Sequence, residues 1–247
     1  DASKLSVAVV GARNCTPYGR DMARMFSYRL AAAGVFVISG MALGIDGWGH
    51  QGALEAGGET YAVLGSGVMR CYPSCHQNLY ESIVRHGGVI SEFPVYARAK
   101  PVFFPMRNRI ISGLSDGILV VEAREKSGSL ITADAALEQG KDVFVIPGRI
   151  GDELSVGCNR LIRMGAVPVL TPDDILDYYG VKTSDGSRNV NETEQKILAF
   201  LGGKTMHMDE ISAGLSLPMT QLLKCMIVLQ KKGYVIEVGR NFFMKKI

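Results

Sequence analysis

Two groups of side chains in the middle of the sequence could hold a phosphate group. Arg107 and Arg109 stand at the start of a predicted helix, and Ser127-Gly128-Ser129 is a hydroxyl-rich turn that runs into the next helix. Free backbone N–H groups, the positive end of a helix dipole and guanidinium donors would converge at such positions. Because arginine in a first helical turn opposes the dipole, both arginines need a nearby anion.

That anion could also be a carboxylate of the same chain. Glu92, Asp116 and Glu122 are the candidate internal partners of the two arginines. The serine-glycine turn lies close by in sequence and favours the same ligand, so the pattern favours an external phosphate over an internal carboxylate.

Aromatic rings alternate with cations just before and at these arginines. The segment consists of Arg98, Lys100, Phe103, Phe104, Arg107 and Arg109. Single-stranded DNA is held by this combination, since cations bind its phosphates and rings stack on its bases. The alternative is that Phe103 or Phe104 belongs to the hydrophobic core.

Apolar runs, glycine turns and helical patterns alternate from residue 5 to about residue 180. The central run, residues 117–122, is continuously apolar up to its final glutamate, as is typical of a strand buried on both faces. The alternation predicts an α/β fold, with a mostly parallel sheet covered by helices on both faces. Ligands of such sheets bind at the carboxyl ends of the strands.

Three turns fall at those strand ends, at residues 11–16, 39–46 and 124–132. The second turn contains Gly40 and Gly44, which could allow a phosphate to approach the backbone; the alternative is that the glycines serve only the tight turns. The chain has neither a G-x-G-x-x-G dinucleotide motif nor a phosphate-binding loop with its lysine, which disfavours ATP hydrolysis.

A polar stretch at residues 181–191 separates two predicted domains, residues 1–180 and 192–247. The second has three helical segments followed by a hairpin pattern, which predicts a winged helix-turn-helix domain. Its third helix is the element that enters a DNA groove in such domains. Because that helix has few arginines, DNA reading and a protein-contact or structural role both remain open.

The bulk composition describes a globular protein with 47% hydrophobic and 21% charged residues and a net charge of +3. Five cysteines, an odd number, predict reduced thiols and a cytoplasmic location. We expect no membrane span and no signal peptide, and the abrupt start suggests a trimmed N-terminus.

Other candidate chemistry is weaker. Asp46 and His50, four residues apart on a helix, could form an acid–base dyad; we favour instead a helix-capping role for Asp46 and a packed surface position for His50. Cys71 and Cys75 lie beside a histidine, but without a second pair they do not predict a zinc site. We therefore expect no catalytic residue, metal or cofactor.

Six motifs occur in a fixed order between residue 5 and about residue 180. They are residues 7–19 (VAVVGARNCTPYG), 39–50 (SGMALGIDGWGH), 65–73 (GSGVMRCYP), 104–115 (FPMRNRIISGLS), 121–133 (VEAREKSGSLITA) and 157–162 (GCNRLI). These motifs closely resemble the DprA/Smf family of bacterial DNA-processing proteins. The C-terminal domain is similar to the winged helix of many members, whereas we expect the family's usual N-terminal helical domain to be absent.

The resemblance implies an extended Rossmann-like domain that binds single-stranded DNA without hydrolysing it and forms a homodimer. It also implies that the protein loads the recombinase RecA onto DNA taken up in natural transformation and relieves inhibition by single-strand binding protein. Asn14 stands where the family often has a second basic residue. The expected DNA-binding residues are Arg13, Gly40, Gly44, Lys100, Phe104, Arg107, Arg109, Lys126, Ser127, Gly128 and Ser129.

Two rival functions remain. The glycine-rich turns resemble in outline those of nucleoside monophosphate phosphoribohydrolases, but the P-G-G-x-G-T-x-x-E turn of that family is replaced here by residues 126–132, which lack its glutamate. The weakly basic winged helix is compatible with a protein that only docks partners.

Overall fold

The computed structural model of the chain describes residues 4–181, 191–202, 204–231, 234–239 and 241–245. The chain divides into two compact units, Asp1–Thr183 and Ser184–Ile247. Apart from its end residues, Val181 and Asn191, the predicted linker lies outside the described residues.

The first unit is built on a seven-stranded sheet in which every pair of neighbouring strands is parallel. Its strands are β1 (Ser6–Val10), β2 (Phe36–Ser39), β3 (Thr60–Val63), β4 (Gly87–Ile90), β5 (Gly117–Val120), β6 (Asp142–Val145) and β7 (Val167–Pro168). Their order across the sheet is β4-β3-β2-β1-β5-β6-β7. The predicted parallel α/β architecture is therefore confirmed.

Seven helices accompany these strands in the described part of the first unit. They are α1 (Pro17–Ala32), α2 (Ile45–Glu55), α3 (Gln77–His86), α4 (Phe103–Gly113), α5 (Gly128–Glu138), α6 (Val156–Arg163) and α7 (Pro172–Tyr178). A short 3₁₀ helix, Ser74–His76, precedes α3. Helix α5 begins two residues before the predicted Leu130, because Ser127 is its N-cap, so Gly128 and Ser129 lie within the first helical turn.

Helices cover both faces of the sheet because successive strand residues point to opposite sides. In β1, Val7 and Val9 pack into a core shared with α1, α2 and α7, whereas Ala8 and Val10 pack into a second core shared with α4, α5 and α6. All five residues of β1 are buried. All four residues of β5 are buried as well, so the continuous apolar run at residues 117–122 contains a strand buried on both faces, as predicted.

The strand order reverses between β1 and β5. The chain winds outward from β1 to β4, returns to place β5 on the other side of β1, and then winds outward to β7. The loops that leave the carboxyl ends of β1 and β5 therefore diverge and leave a crevice, which is the usual ligand position in this class of sheet.

The second unit contains α8 (Glu192–Leu201), β8 (Met206–His207), α9 (Met208–Leu215), α10 (Met219–Lys231), β9 (Val235–Gly239) and β10 (Phe242–Lys245). Its three strands form an antiparallel sheet in the order β8-β10-β9. Ile197, Ile211, Leu222 and Val235 belong to its separate hydrophobic core. This is the predicted winged-helix arrangement, with one further strand, β8, that is too short to give a sequence signal.

Among the described helices, none is by itself long and apolar enough to cross a membrane. One bent pair, Met208–Leu215 with Met219–Gln230, matches a membrane span in length and composition alone. Within the described ranges, no group of three or more His, Cys, Asp and Glu side chains is arranged to hold a metal ion.

Candidate nucleic-acid interface

A cavity of about 600 Å³ opens at the strand-order reversal, at the carboxyl ends of β1 and β5. Its wall consists of the turns after β1, β2 and β5, residues of α4, and Tyr72. The cavity brings together seven of the predicted site residues: Arg13, Phe104, Arg107, Lys126, Ser127, Gly128 and Ser129.

The floor of this cavity is formed by Arg107 and Asp46, which are 3% and 7% exposed. Nη1 of Arg107 donates hydrogen bonds to the carbonyl oxygen of Gly40, at 2.8 Å, and to that of Val63. A Cβ on Gly40 would collide with the guanidinium, which explains the glycine at that position. Arg107 thus joins α4 to the ends of β2 and β3, and its Nε has no partner among the described residues.

Burial dominates the electrostatics of the floor. Desolvation lowers the pKa of Arg107 to about 10, although Asp46 nearby opposes the shift. Desolvation likewise raises the pKa of Asp46, against the opposing effects of Arg107, two backbone hydrogen bonds and Arg13. Burial thus disfavours the charged form of both groups, and each stabilises the charge of the other.

Asp46 and His50 have separate partners and do not act as the acid–base dyad considered from the sequence. The Asp46 carboxylate accepts a hydrogen bond from the backbone N–H of Gly40 at 3.2 Å, and α2 has no side-chain cap. His50 is fully buried rather than on the surface, and its Nδ1 lies 2.6 Å from Oγ1 of Thr60. The expected capping and surface roles are thus wrong, because α2 packs this face inward.

Asn108 connects α4 to the start of α5. Its Nδ2 donates a hydrogen bond to the carbonyl oxygen of Gly128 at 3.2 Å. Oγ of Ser127 caps α5 and lies 2.8 Å from Oγ of Ser129. A Cβ on Gly128 would meet no heavy atom within 4 Å, so this side of the turn is open. The N-terminus of α5 therefore has the form of an anion cradle, held in place by Asn108.

The rim of the cavity carries Arg13, Tyr72, Phe104 and Lys126. The guanidinium of Arg13 lies over the ring of Phe104, 4.9 Å from its centroid. The rings of Tyr72 and Phe104 are in contact, with centroids 5.5 Å apart and planes inclined by 38°. Arg13 and Lys126 are exposed, and within the described part of the chain neither is paired with a carboxylate.

The charge balance of the cavity wall is positive. Among the described residues, four cations line it, namely Arg13, Arg107, Arg124 and Lys126, against the single carboxylate of Asp46. Arg124 is already engaged by Glu153, at 2.7 Å. The free positive charge is therefore concentrated on Arg13 and Lys126, beside the aromatic rings and the α5 cradle, where a polyanion would be attracted.

Four predicted site residues lie off the cavity wall. Gly40 supports Arg107 from behind, and Gly44, at φ +75°, faces the carbonyl oxygens of Ala12 and Arg13, so that it fixes the first turn. Arg109 forms an ion pair with Glu92 at 2.5 Å, which is the internal partner considered from the sequence. Lys100 is the fourth of these residues. Its Nζ lies 5.6 Å from the ring centroid of Phe103, and the Phe103 ring stacks on that of Phe93 with centroids 4.0 Å apart.

The other two candidate carboxylates have their own partners. Asp116 accepts hydrogen bonds from the backbone N–H and the hydroxyl of Ser6. Glu122 accepts from the backbone N–H and the hydroxyl of Thr16, at 2.9 and 2.5 Å. Neither carboxylate is therefore the partner of Arg107 or Arg109.

Tyr72 and Asn108 are cavity residues that the sequence reasoning did not select. Asn108 stands between the two arginines of R-N-R. The sequence reasoning considered only the charged residues of that motif and missed the amide, which bonds the Gly128 turn. Tyr72 lies in the irregular segment between β3 and the short 3₁₀ helix, within the motif of residues 65–73. The sequence signal that could have identified Tyr72 is this motif, in which an aromatic residue follows the cation Arg70 by two positions.

A second cavity, of about 740 Å³, lies beside the first and shares Asn14, Arg124 and Leu154 with it. Its wall carries three carboxylates, Glu122, Asp152 and Glu153, and only two arginines, Arg124 and Arg149. Burial raises the pKa of the Cys15 thiol on this wall, and that of Cys158 to about 12, which disfavours the reactive thiolate form. The cavity suits neither a polyanion nor a cysteine nucleophile.

Comparison with known proteins adds a family match. A family described as DNA recombination-mediator protein A matches residues 1–180. The chain is 38% identical to Protein Smf of Escherichia coli over 96% of its own length and 67% of that protein. It is 44% identical to the DNA processing protein DprA of Streptococcus pneumoniae over 69% of its length, which is 60% of that relative.

Two solved structures have the same architecture. The X-ray structure of DprA from Streptococcus pneumoniae superimposes with a TM-score of 0.67 and 40% identity, and covers 71% of this chain and 62% of that one. DNA processing protein A from Helicobacter pylori, whose single-stranded DNA binding mode has been described, gives a TM-score of 0.66 and 29% identity, with 71% and 80% covered.

Proposed function

Because the chain belongs to the DNA recombination-mediator protein A family, also called DprA or Smf, we propose that it binds single-stranded DNA without sequence preference in the cavity between β1 and β5. The observation that carries the proposal is the arrangement of the rim. Unpaired cations stand beside aromatic rings and an open helix N-terminus, so phosphates and bases both find partners.

The absence of base-specific recognition follows from the chemistry of the rim. Guanidinium, ammonium and backbone N–H groups bind phosphates, which are the same for every nucleotide. Rings stack on any base because every base has a π face. The strand would therefore be held through features common to all sequences, as a mediator that acts on arbitrary DNA requires.

The role of the bound strand follows from the family. We propose that the protein is a homodimer in the cytoplasm and loads RecA onto single-stranded DNA during natural transformation, where it also counteracts single-strand binding protein. The DprA of Helicobacter pylori, with its described single-stranded DNA binding mode, supports the first step of this route. The test of the later step is RecA ATPase activity on DNA coated with single-strand binding protein, which the protein should accelerate.

Direct DNA binding is the first experiment. Fluorescence anisotropy with oligo-dT, measured over a series of salt concentrations, should give a linear fall of log affinity with log salt, with a slope of about −0.7 for each phosphate neutralised. The double variant Arg13→Glu with Lys126→Glu should lose most of this binding. Arg149→Glu, which reverses a single charge in the wall of the second cavity, is the control for each substitution and should bind as the unmodified protein does.

Binding that survives the double variant would move the DNA site away from this cavity. Lys224→Glu then tests the winged helix, because Lys224 is an exposed cation of α10. The outer face of α10 also carries Leu223 and Ile227, which are 46% and 61% exposed, so it offers few hydrogen-bond donors to bases. For this reason we assign strand binding to the first unit rather than to the winged helix.

Hydrolysis of a nucleotide is the rival activity. Helix α5 has no acidic residue in its first turn, where the hydrolases carry a glutamate. The one carboxylate of the cavity wall, Asp46, accepts the N–H of Gly40 in the floor. We therefore propose that the site binds without catalysis, and release of free base from AMP, followed by chromatography, would contradict this.

A further inference from the structure

We infer that Tyr72 is the ring on which a base of the bound strand stacks, and that Phe104 is a positioning residue that holds Tyr72 and Arg13 in place. The inference rests on the proposed function of the cavity. It assigns the base contact to a residue outside the segment in which cations and aromatic rings alternate.

The contacts of Phe104 leave little of its ring for a ligand. The Arg13 guanidinium covers the ring at 4.9 Å from the centroid, and the Tyr72 ring leans against it at 5.5 Å. A Cβ on Gly65 would lie only 2.7 Å from Cδ1 of Phe104, so that ring also packs tightly on the backbone after β3. Phe104 is thus in contact on three sides with groups of the protein itself.

Tyr72 has the opposite environment. Its side chain is 48% exposed although it lines the cavity and is backed by Phe104. Within the described residues its hydroxyl has no hydrogen-bond partner. The tyrosine therefore presents a supported aromatic surface to the open cavity, which is the arrangement that a stacking base requires.

The loop that carries Tyr72 is fixed on both sides. Before it, the hydroxyl of Ser66 donates to the carbonyl oxygen of Arg70 at 2.7 Å. After it, the backbone N–H of His76 donates to the carbonyl oxygen of Pro73 at 3.0 Å. Nδ1 of His76 also lies 3.0 Å from the carbonyl oxygen of Met41. Because the ring is already positioned, stacking costs little further ordering.

Cations flank the tyrosine. Arg13 stands beside it across Phe104, and Arg70, two residues before it in the chain, is exposed and forms no ion pair within the described ranges. A nucleotide that stacks on Tyr72 would therefore have positive charge near its phosphates. The ligand that fits is a nucleobase within a single strand, rather than an isolated anion.

The test compares two tyrosines and two oligomers. Tyr72→Ala should lower the affinity for oligo-dT by about 5- to 150-fold, the range expected for one base stacked on an aromatic ring, with the salt dependence unchanged. Tyr72→Phe should stay within about twofold of the unmodified protein, because the ring rather than the hydroxyl binds. Tyr18→Ala is the matched control, since Tyr18 is 52% exposed but lines the second cavity.

An abasic oligomer of the same length separates stacking from phosphate binding. It should bind the unmodified protein and Tyr72→Ala equally, because it offers no base to the ring. If Tyr72→Ala binds oligo-dT as tightly as the unmodified protein, the inference about Tyr72 is overturned but the proposed function is not. The same holds if Tyr72→Ala loses as much affinity for the abasic oligomer as for oligo-dT. Failure of the unmodified protein to bind oligo-dT would overturn the proposed function itself, and thermal unfolding confirms that each variant is folded.

Discussion

The floor and the rim of the cavity both contain arginine, yet their arginines are paired in different ways. In the floor, Arg107 is buried and donates to the carbonyl oxygens that end two strands. In the rim, Arg13 is exposed and covers the face of Phe104 without a carboxylate partner in the described part of the chain. The comparison indicates that the floor maintains the shape of the site, whereas the rim is available to a ligand.

This difference has a physical cause. A buried guanidinium takes its hydrogen-bond acceptors from the protein, as Arg107 does through Nη1, because water does not reach it. An exposed guanidinium remains hydrated and can exchange that water for a phosphate. Variants of the floor should therefore change the free energy of unfolding, and variants of the rim should change DNA affinity and its salt dependence.

The largest effect is expected in the floor, for Arg107→Ala. The variant leaves two buried carbonyl oxygens without their donor and removes a cation that stabilises the buried Asp46 carboxylate, so the free energy of unfolding should fall by about 3–5 kcal/mol. Urea unfolding measures it. Arg109→Ala is the matched control: its ion pair with Glu92 is exposed, and its loss should cost less than about 1 kcal/mol. A small effect for Arg107→Ala would remove the distinction between floor and rim.

The second effect concerns His50, which lies buried behind the floor. Thr60 already donates its hydroxyl to the carbonyl oxygen of Val37, so His50 must donate from Nδ1, and its Nε2 has no partner among the described residues. Burial, with His76 and Arg107 adding to it, lowers the pKa of His50 to about 3. The folded protein therefore keeps this ring neutral.

The unfolded chain takes up a proton on the same ring near pH 6.5, which the folded protein does not. Stability is thus fully present above that pH and is lost as the pH falls toward 3, by up to about 1.4 kcal/mol per unit from this residue. Urea unfolding at several pH values should show a flatter profile for His50→Gln. His86→Gln, at an exposed histidine, should leave the profile unchanged.

The rim gives the third effect. Arg13→Gln should weaken oligo-dT binding by about tenfold and reduce the salt slope by about 0.7, because one phosphate contact is lost. Its free energy of unfolding should stay within about 0.5 kcal/mol, as for other exposed substitutions. If instead the variant unfolds readily while its affinity is normal, Arg13 belongs with the floor.

The smallest effect is expected where floor and rim meet, at Asn108. Asn108→Ala removes one hydrogen bond to Gly128 and should cost about 1 kcal/mol of stability. Oligo-dT affinity should fall by a few-fold, since the α5 cradle loses its support. Asn108→Asp keeps the size of the side chain but places a carboxylate against the carbonyl oxygen of Gly128 and beside the α5 cradle, so it should lower stability and affinity more than alanine does in unfolding and anisotropy measurements.

Much of the architecture could be predicted from local patterns. Alternation of apolar runs, glycine turns and helices predicted the parallel sheet, and the three helices and hairpin predicted the winged helix. The position of the site at the carboxyl ends of the strands followed from the same pattern, because it is a property of the whole class of sheet. Helix α4 starts at Phe103, so Arg107 and Arg109 lie in its second turn; the predicted position of both arginines in a first helical turn is wrong.

The environment of each site residue could not be predicted in this way. Three consecutive residues of α4 point to different surroundings: Arg107 to the floor, Asn108 to the α5 turn, and Arg109 to Glu92. The sequence contains two similar arginines, and nothing local distinguishes the buried one from the exposed one. His50 was misplaced on the surface for the same reason.

What the sequence determined by itself is the order and type of the elements, the two units and the family, because these depend on periodicity and on motifs within short stretches. What only the tertiary structure decided is which cations remain free. The carbonyl oxygens that hold Arg107 lie 67 and 44 residues earlier in the chain, and they meet it only because β2 and β3 end beneath α4. Pairing of a buried charge is a long-range property, so it appears only when the strands have taken their places.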